Sequence, residues 1–369
     1  MPTLGDLKQK QSLPLEAKVV MSQQRIREFY EAMDGNVYIS SSGGKDSVVM
    51  THLVKSVYPD VPIIFMDTGL EFPESRALCK SQGAEIARPL RSFVDVITKY
   101  GYPLITKEVS ESIYYARRIL NGKKKTVKLT RTTLNKRREL LGKRIFVDTK
   151  DGVALKNSRY NKEKWLPLSQ RTDFMISNRC CFYMKKSDFG KISRDRGIFP
   201  YIATTAEESV LRQESWIRYG CNTFHEGKAA SRPISFWREQ DILRYVYENN
   251  LPLCPVYGEI VWDEELQQFR TTGQKRTGCI FCAYGMNYTV GITKFQELAK
   301  THPRQYEYCL EGGQYIPNPH YDPDAPMMDG EWENWNPKKI WVPSRKGIGM
   351  RHVFDQLNEI YGKDFLRYE

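Results

Sequence analysis

Two sets of residues in this 369-residue chain have types and spacings that suit chemistry. The first is the stretch SGGKDS, Ser42–Ser47, which follows the short apolar run Val37–Ile39. The second is a set of four cysteines in two tight pairs, one adjacent and one C-x-x-C: Cys180, Cys181, Cys279 and Cys282. The first set is typical of anion binding, and the second is typical of metal binding or redox chemistry.

The SGGKDS stretch has the composition of a phosphate site at the start of a helix. A helix N-terminus offers unpaired N–H groups and a positive dipole end to an anion. The residues add close backbone approach (Gly43, Gly44), hydroxyl donors (Ser42, Ser47) and a positive charge (Lys45). Asp46 suits a Mg²⁺ ion that bridges phosphate oxygens. The alternative is an ordinary glycine turn with a helix cap. The stretch does not match the G-x-x-x-x-G-K-[ST] pattern of the Walker phosphate loop.

The four paired cysteines supply a full set of thiolate ligands. Such a set binds tetrahedral Zn²⁺ or a [4Fe–4S] cluster. Adjacent cysteines argue against a purely structural zinc site, which uses spaced pairs, and unligated thiols are the third alternative. The other four cysteines are isolated in the sequence and are predicted to be buried core residues: Cys79, Cys221, Cys254 and Cys309.

The net charge of +12 is concentrated in one block. Arg117–Arg144 contains twelve Lys or Arg and one acid, so the rest of the chain is near +1. A nucleic acid is one expected partner of this block, and a solvated face or an acidic protein are the alternatives. The residues predicted to contact a nucleic acid are Lys123, Lys124, Lys125, Lys128, Arg131, Lys136, Arg137 and Arg138.

The elements that must position these residues alternate along the sequence between predicted helices and predicted strands. A helix is predicted over 22–33, with Ser22 as its cap and Gly35 at its end, followed by a strand over 37–41. A helix over 45–58 and an apolar strand over 63–67 complete a βαβ unit. Further helices are predicted at 72–83, 93–100 and 238–250, and strands at 84–90 and 198–205. We therefore expect an α/β fold with a parallel twisted sheet covered by helices on both faces.

The chain divides by composition into four predicted segments. They are a nucleotide-binding core over 1–105, a basic insertion over 106–166, a second part of the core over 167–310 that carries the cysteines, and an irregular C-terminal wrap over 311–369. There is no run of eighteen apolar residues and no secretory signal at the N-terminus. We therefore expect a cytoplasmic protein with no membrane span.

The SGGKDS stretch resembles the S-G-G-x-D-S hallmark of the PP-loop ATP pyrophosphatases, whose fold is adenine nucleotide alpha hydrolase-like. The segment MDTGLEFPE, Met66–Glu74, resembles the D-T-G-x-x-F-P-E segment of the phosphoadenylylsulfate (PAPS) and adenylylsulfate (APS) reductase branch. The resemblance implies that Asp67, Thr68 and Gly69 help to bind the nucleotide at the end of the second strand. Ligands of parallel-sheet proteins are expected at the carboxyl ends of the strands.

The cysteine pattern is similar to that of the iron–sulfur members of the same branch. They bind a [4Fe–4S] cluster with Cys-Cys…Cys-x-x-Cys and have a lysine four residues after the second cysteine, which corresponds to Lys185. The resemblance therefore implies a [4Fe–4S] cluster rather than zinc. The likeness continues through the block from Arg232, RPISFWREQDILRYVYENNLPLCPVYGEI, and through LAKTHPRQYEYCL, and covers roughly residues 20–310 apart from the insertion.

Two departures bear on the reaction. The family segment G-x-R-x-x-E-S-x-x-R reads ATTAEESVLR here, so Ala203 and Thr205 replace the glycine and the first arginine. Arg212 is kept, and the resemblance implies that it binds the nucleotide. The reductases attack with a cysteine in a C-terminal E-C-G-x-H segment, and the last residues of this sequence contain no cysteine. Because sulfonucleotide reduction needs a thiolate nucleophile, we expect another reaction.

Three functions remain open at this point. The first is cleavage of ATP–Mg²⁺ to AMP and pyrophosphate by Lys45, Asp46 and Ser47, linked to sulfur transfer onto a nucleic acid. It is the reaction type implied by the DNA phosphorothioation sulfurtransferases, which the sequence resembles, and it implies a sulfur donor protein such as a cysteine desulfurase. The second is an APS or PAPS reductase. The third is a regulator without enzymatic activity that senses a nucleotide and binds DNA.

Overall fold

The structure, a computed structural model, describes residues 2–118, 130–159, 161–225, 227, 229–325, 328–329 and 331–369. The chain forms two compact units. Unit 1 contains Met1–Leu90 and Lys185–Ile280, and unit 2 contains Arg91–Met184 and Phe281–Glu369. No described helix is long and apolar enough to cross a membrane.

The described α-helices are, in chain order, α1 (Leu4–Gln11), α2 (Leu15–Ala32), α3 (Lys45–Val57), α4 (Pro73–Ser81), α5 (Phe93–Tyr100), α6 (Lys107–Ala116), α7 (Arg131–Leu140), α8 (Leu166–Gln170), α9 (Ser187–Arg196), α10 (Val210–Tyr219), α11 (Glu239–Glu248), α12 (Lys294–Thr301), α13 (Pro303–Leu310) and α14 (Met350–Tyr361). A π-helical turn, Phe182–Lys186, leads directly into α9.

The described strands are β1 (Val37–Ser41), β2 (Ile63–Met66), β3 (Glu85–Ala87), β4 (Leu104–Ile105), β5 (Ile145–Thr149), β6 (Gly152–Lys156), β7 (Phe199–Ile202), β8 (Asn222–Thr223), β9 (Ala230–Ser231), β10 (Ile260–Asp263), β11 (Gln268–Thr271), β12 (Ala283–Tyr284), β13 (Gln314–Pro317), β14 (Met328–Asp329), β15 (Trp332–Glu333) and β16 (Lys339–Val342).

Unit 1 is built on a six-stranded sheet in the order β3-β2-β1-β7-β9-β8. The first five strands run parallel, and only β8 at the edge is antiparallel to its neighbour. In the middle of the sheet, Ile39 pairs with Ile63 on one side and with Tyr201 on the other. The predicted α/β fold with a parallel sheet is confirmed.

Side chains of β1 alternate between two covered faces of this sheet. Val37 and Ile39 belong to a buried apolar cluster that includes Leu53 of α3 and Ile26 of α2. Tyr38 lies on the opposite face, where its ring stacks on Phe189 of α9 with a centroid distance of 6.3 Å. A parallel strand that is covered on both faces requires this nearly continuous apolar sequence.

Each predicted helix and strand is present in the structure, with differences at its ends. The strands predicted over 84–90 and 198–205 are shorter, at Glu85–Ala87 and Phe199–Ile202. The bounds of β1 and α5 are those predicted, and α3 is shorter by one residue. The helix predicted over 22–33 is wrong at its start, since α2 begins at Leu15. Ser22 is not a cap: it is buried inside the helix, where its hydroxyl donates to the Pro233 carbonyl and accepts from Trp237 Nε1.

Unit 2 combines helices with short two-stranded pieces: β4 with β12, β5 with β6, β13 with β16, and β14 with β15. Residues 91–105 and 281–310, predicted as core, lie in this unit. The predicted basic insertion supplies α7 and the β5–β6 hairpin, while 119–129 lie outside the described residues.

The C-terminal stretch is more regular than the predicted wrap. Helix α14 buries Val353, Phe354 and Leu357 on one face, and β13 pairs antiparallel with β16. The prolines of 311–345 separate strands too short to give an alternating pattern, which explains why the sequence predicted irregular structure there.

Arg117, the first residue of the basic block, is buried in unit 2. Its guanidinium donates to the carbonyl oxygens of Leu168 at 2.8 Å, Ser169 at 2.8 Å and Phe174 at 2.7 Å. It also lies over the Trp335 ring, 4.3 Å from the centroid. Burial lowers the pKa of Arg117 to about 9, so the side chain stays charged at neutral pH. This cation therefore organises the loop after α8.

Arg117→Ala is expected to destabilise unit 2 by about 3 kcal/mol or more, because three buried carbonyls lose their donor. Denaturant unfolding followed by tryptophan fluorescence measures this change. Lys107→Ala, at an exposed position of the same helical region, is the matched control and should change stability by less than about 0.5 kcal/mol. Equal stabilities of the two variants would contradict a structural role for Arg117.

Candidate functional site

The SGGKDS stretch forms the turn between β1 and α3, at the carboxyl end of the central strand. Gly43 has φ +69°, and a Cβ atom on it would lie 2.8 Å from the carbonyl oxygen of Ser75. That distance is too short for any other side chain, and the backbone conformation also disfavours one. Gly43 is therefore required for the approach of the loop to the start of α4.

Hydroxyl groups surround the first turn of α3. The Ser47 hydroxyl donates to the Gly44 carbonyl at 2.8 Å and accepts from the backbone N–H of Ser42 at 3.3 Å. The backbone N–H of Lys45 donates to the Tyr257 hydroxyl at 3.2 Å, and that hydroxyl lies 3.2 Å from Thr277 Oγ1. The N-cap residue Gly44 gives the helix no side-chain cap. Helix N–H groups at such a start are available to an anion.

A cavity of about 520 Å³ opens over this turn, and all of its lining residues belong to unit 1. The lining includes Ser42, Gly44 and Ser47 from the turn. Its charged residues are five acids and four bases: Asp46, Glu71, Glu207, Glu208, Glu239, Lys45, Lys185, Arg212 and Arg276. The volume is in the range of small-molecule sites, and the lining is strongly ionic.

Lys45 is buried in the cavity wall and is held in place by two acceptors. Its Nζ atom lies 2.7 Å from Glu239 Oε1 and donates to the Lys275 carbonyl at 2.8 Å. Asp46, beside it, has its pKa raised by burial, against the lowering effect of the nearby charges of Lys45, Arg276 and Arg212. The acid and the base predicted at this loop therefore face the same cavity.

Asp67, Thr68 and Gly69 follow β2 but do not line the cavity. Asp67 pairs with Arg76 at 2.9 Å, and Gly69 is exposed. Thr68 donates from its N–H and its hydroxyl, both at 2.9 Å, to Glu71. Glu71 itself lines the cavity and pairs with Lys185 at 2.9 Å. The predicted segment thus reaches the cavity through Glu71.

Arg212 lies in the cavity lining, as its predicted nucleotide-binding role requires. It belongs to the first turn of α10, where its N–H donates to the Ser209 hydroxyl at 3.3 Å, and its guanidinium pairs with Glu208. Arg276 lies 3.9 Å from the same carboxylate. Burial lowers the pKa of Arg212, and its pairing with Glu208 supplies an opposite charge.

The paired cysteines do not all fall in one unit. Cys180, Cys181 and Cys282 belong to unit 2, whereas Cys279 follows the cavity-lining Gly278 in unit 1. In unit 2 the pKa of Tyr284 is raised, first by burial and then by the charges of Cys180, Cys282 and Cys181. Those three thiols therefore lie around one phenol.

The described side chains include no group of three or more His, Cys, Asp or Glu arranged to hold a metal ion. The thiols around Tyr284 are nevertheless the type of ligand that binds an iron–sulfur cluster. Of the isolated cysteines, Cys79, Cys254 and Cys309 are buried, and Cys221 is half-buried.

The residues predicted to contact a nucleic acid have different environments. Lys123, Lys124, Lys125 and Lys128 lie outside the described residues. Arg131 is exposed and pairs with Asp148, and Lys136 lies 3.4 Å from Glu139. Arg138 donates to the Arg144 carbonyl and lies over Phe146.

Arg137 differs from these, because it is only 4% exposed. Its guanidinium donates to the carbonyls of Ala116 and Arg118, both at 3.0 Å. A surface contact does not agree with this placement of Arg137.

Several cavity residues were not predicted from the sequence. Glu71 lies inside the quoted DTGLEFPE segment, and Glu239 and Tyr257 lie inside the block that begins at Arg232, so the segments were found but not the residues. Arg276 and Thr277 precede Cys279 directly. Their position in the sequence next to the Cys279–Cys282 pair was the feature that could have identified Arg276 and Thr277 as site residues.

Comparison with known proteins gives a match over the same part of unit 1. Residues 36–94 match the family model described as "Phosphoadenosine phosphosulfate reductase domain". This segment resembles a PAPS reductase. It contains β1, the SGGKDS turn, α3, β2 and α4, and it supplies these cavity-lining residues: Ser42, Gly44, Lys45, Asp46, Ser47, Glu71 and Ser75.

Named relatives are similar over the same limited length. A phosphoadenosine 5′-phosphosulfate reductase of Photorhabdus laumondii is 40% identical over 70 residues, which are 18% of this chain and 29% of that protein. A Vibrio parahaemolyticus protein of the same name is 41% identical over 61 residues, 16% of this chain and 24% of that protein. The chain thus spans roughly a quarter of the length of these curated relatives.

Among solved structures, a PAPS reductase from Candida auris, in a phosphate complex, overlaps 69% of this chain and 91% of its own. The TM-score is 0.34 and the identity is 13%.

Gly43→Ala is expected to lower the affinity for an adenine nucleotide at least tenfold, because the new methyl group meets the Ser75 carbonyl and must displace the turn. Gly83→Ala is the matched control, since Gly83 has φ +74° but nothing within 4 Å of its Cβ position. Both variants carry backbone strain of about 1 kcal/mol. Calorimetric titration with ATP or APS checks this, and an equal affinity of both variants would contradict the steric argument.

Proposed function

We propose that the cavity of unit 1 binds ATP–Mg²⁺ and cleaves it to AMP and pyrophosphate. The observation that carries the proposal is the charge pattern of the lining, in which five carboxylates and four cations surround a helix N-terminus. A polyphosphate without a metal ion would meet more negative than positive side chains there. A triphosphate that arrives with Mg²⁺ supplies the missing positive charge.

The residues of the turn have separate tasks in this proposal. The N–H groups at the start of α3 and the Lys45 ammonium bind the phosphate chain and stabilise the negative charge that develops on the leaving pyrophosphate. Lys45 would exchange its partner Glu239 for phosphate oxygens. Asp46 would hold Mg²⁺, which neutralises phosphate charge when bound. Ser42 and Ser47 donate hydroxyl hydrogens to the same oxygens.

We also propose that an oxygen atom of a nucleic acid attacks the α-phosphorus of ATP, so that pyrophosphate leaves and AMP becomes bonded to that oxygen. A persulfide sulfur of a donor protein would then displace AMP together with the oxygen, and a thiol reductant would cleave the resulting disulfide to release the donor. The support is the excess of twelve basic residues over one acid in Arg117–Arg144. The sulfur would come from a donor protein of the cysteine desulfurase kind. Arg131, which is exposed, fits such a surface better than the buried Arg137.

A second candidate is reduction of APS or PAPS, and one observation favours it directly. The 36–94 match and the named relatives are all to PAPS reductases. Reduction needs a thiolate that attacks sulfur and a thiol donor that regenerates it. None of the described residues that line the cavity is a cysteine. A thiol from outside the cavity lining would have to reach the bound substrate.

Lys45→Ala should lower pyrophosphate release from ATP–Mg²⁺ about a hundredfold or more, because one charged donor at the leaving group is lost. Lys55→Ala, in the last turn of the same helix, is the matched control and should release pyrophosphate like the wild type. Anaerobic protein is assayed for pyrophosphate, with and without DNA or RNA. Equal rates for both variants would contradict the role of Lys45.

The same preparation separates the two candidates. Sulfite release from APS or PAPS with a thiol donor, together with no pyrophosphate from ATP, would replace the first candidate by the second. Tight nucleotide binding without any product would favour the nucleotide-sensing regulator.

We propose further that the four paired cysteines bind a [4Fe–4S] cluster, rather than zinc. The support is the set of thiols around Tyr284 and the adjacent pair in the sequence. A cluster ligated by four cysteines has no open iron, so it would contribute charge, structure or electrons. Lys185 is proposed to lie near it, in addition to its pairing with Glu71.

Iron and acid-labile sulfide analysis of anaerobic protein tests this assignment. Wild type should contain about four of each per chain, the composition of such a cluster. Cys181→Ser should lose most of both, while the control Cys221→Ser, at an isolated and half-buried position, should keep them. A colourless protein with one zinc would contradict the cluster.

A further inference from the structure

Unit 2 carries a cluster of aromatic rings and cations that no step of the proposed reaction uses. We call it the aromatic–arginine patch, and it is formed by Arg91, Tyr100, Tyr183, Arg179, Tyr114 and Tyr115. All of these residues belong to unit 2. None of them is among the residues predicted from the sequence to contact a nucleic acid.

The first half of the patch is a stack. The rings of Tyr100 and Tyr183 are 4.6 Å apart at their centroids, with an angle of 13° between their planes. The Arg91 guanidinium lies over the Tyr183 ring at 4.6 Å, and the Lys99 ammonium lies 5.6 Å from the Tyr100 ring. Arg91 and Lys99 are exposed, while both rings are half-buried.

The second half repeats the arrangement on α6. The Arg179 guanidinium lies over Tyr114 at 4.9 Å and Tyr115 at 5.5 Å, and donates to the Tyr115 hydroxyl at 2.8 Å. Arg118, which is exposed, lies over Tyr115 at 4.7 Å. The backbone N–H of Tyr183 donates to the Arg179 carbonyl at 3.1 Å, so the two halves of the patch are adjacent.

The patch contains two cations, Arg91 and Arg179, and two more lie against its rings, Lys99 and Arg118. Nearby carboxylates are partly engaged elsewhere. Asp95 caps α5 through Ser92, and Glu108 pairs with Lys162 at 2.8 Å. Glu111 is the remaining acid of α6. The balance of charge is therefore positive, and the partner that complements it is anionic.

Flat faces and cations together indicate what kind of anion this is. A duplex presents phosphates to cations but keeps its bases stacked inside, so its bases cannot stack on the tyrosine rings. An unpaired strand presents both bases and phosphates, and its bases stack on tyrosine and on guanidinium planes. Arg91 is exposed and its guanidinium lies over the Tyr183 ring, so it offers one such plane beside the tyrosine pair.

We infer that the aromatic–arginine patch of unit 2 binds single-stranded nucleic acid, with bases stacked on the Arg91–Tyr183–Tyr100 stack and phosphates on Lys99 and Arg118. This deepens the nucleic-acid part of the proposed function and rests on it, because it makes the acceptor an unpaired strand. Binding needs no ATP, however, so the two are tested apart.

The test is fluorescence anisotropy of the full chain with labelled oligothymidylate and oligouridylate of about 20 nucleotides, longer than the roughly 4–16 that one single-strand site covers. A labelled DNA duplex of equal length is the comparison. Single strands should bind more tightly than the duplex at each salt concentration, without added nucleotide. The two oligomers report separately on DNA and RNA.

Arg91→Ala combined with Tyr100→Ala should weaken single-strand binding about tenfold or more, as expected when a stacked base worth about 1–3 kcal/mol is lost. Tyr100→Phe keeps the ring and should retain the affinity. Lys99→Ala alone should reduce the slope of log affinity against log salt concentration by about one phosphate contact.

The matched control is Arg218→Ala with Tyr219→Ala, a cation–aromatic pair of unit 1 with a spacing of 5.9 Å. It should bind as the wild type does. Melting curves verify that each variant is folded, and pyrophosphate release without nucleic acid should stay unchanged in all of them. Wild-type affinity of the Arg91, Tyr100 variant, or duplex binding as tight as single-strand binding, would overturn the inference.

Discussion

The close contact between the SGGKDS turn and the start of α4 is the constraint on which unit 1 depends. At Gly43 the chain takes a positive φ with its backbone against the Ser75 carbonyl, where no Cβ atom fits. This packing fixes where α3 begins, and therefore where its unpaired N–H groups point. Because β1 is central in a parallel sheet, the same edge also receives the residues that follow β2 and β7. One glycine contact thereby brings distant parts of the chain to a single cavity.

The charges of this cavity are arranged in pairs that a ligand must rearrange. Lys45 is held by Glu239, Lys185 by Glu71, and Arg212 by Glu208. Each pair avoids the cost of a lone charge in a poorly solvated place. In the proposed ATP–Mg²⁺ complex, the phosphate chain would compete with these carboxylates for the same cations, so affinity would be the difference between two sets of ion pairs. A metal ion that engages the released carboxylates would make this exchange favourable, so the proposal gives the acids a role as important as that of the bases.

Local patterns predicted the parts of the fold that local physics decides. The bounds of β1 follow from its apolar run, and the turn follows from its glycines. The start of α2 was missed because a serine before an apolar helical face looks like a cap, whereas Ser22 is satisfied by Pro233 and Trp237, more than two hundred residues away. Tyr257 was missed for the same reason, since its contact with the Lys45 N–H joins residues 212 positions apart. Contacts of this range leave no periodic signal.

The basic block shows that the number of basic residues in a stretch of sequence does not locate a binding surface. Arg117 and Arg137 lie in the same run as Arg118 and Arg131, yet the first two are buried and donate to backbone carbonyls. Burial of an arginine is tolerable only where several carbonyl oxygens converge. For Arg117 these oxygens come from α8 and the loop after it, and for Arg137 they come from the end of α6. Meanwhile Arg91 and Arg179 lie outside the run and join the aromatic rings of unit 2. A surface that binds an anion is therefore defined by which cations the fold leaves exposed beside flat rings, and the densest stretch of basic sequence need not form it.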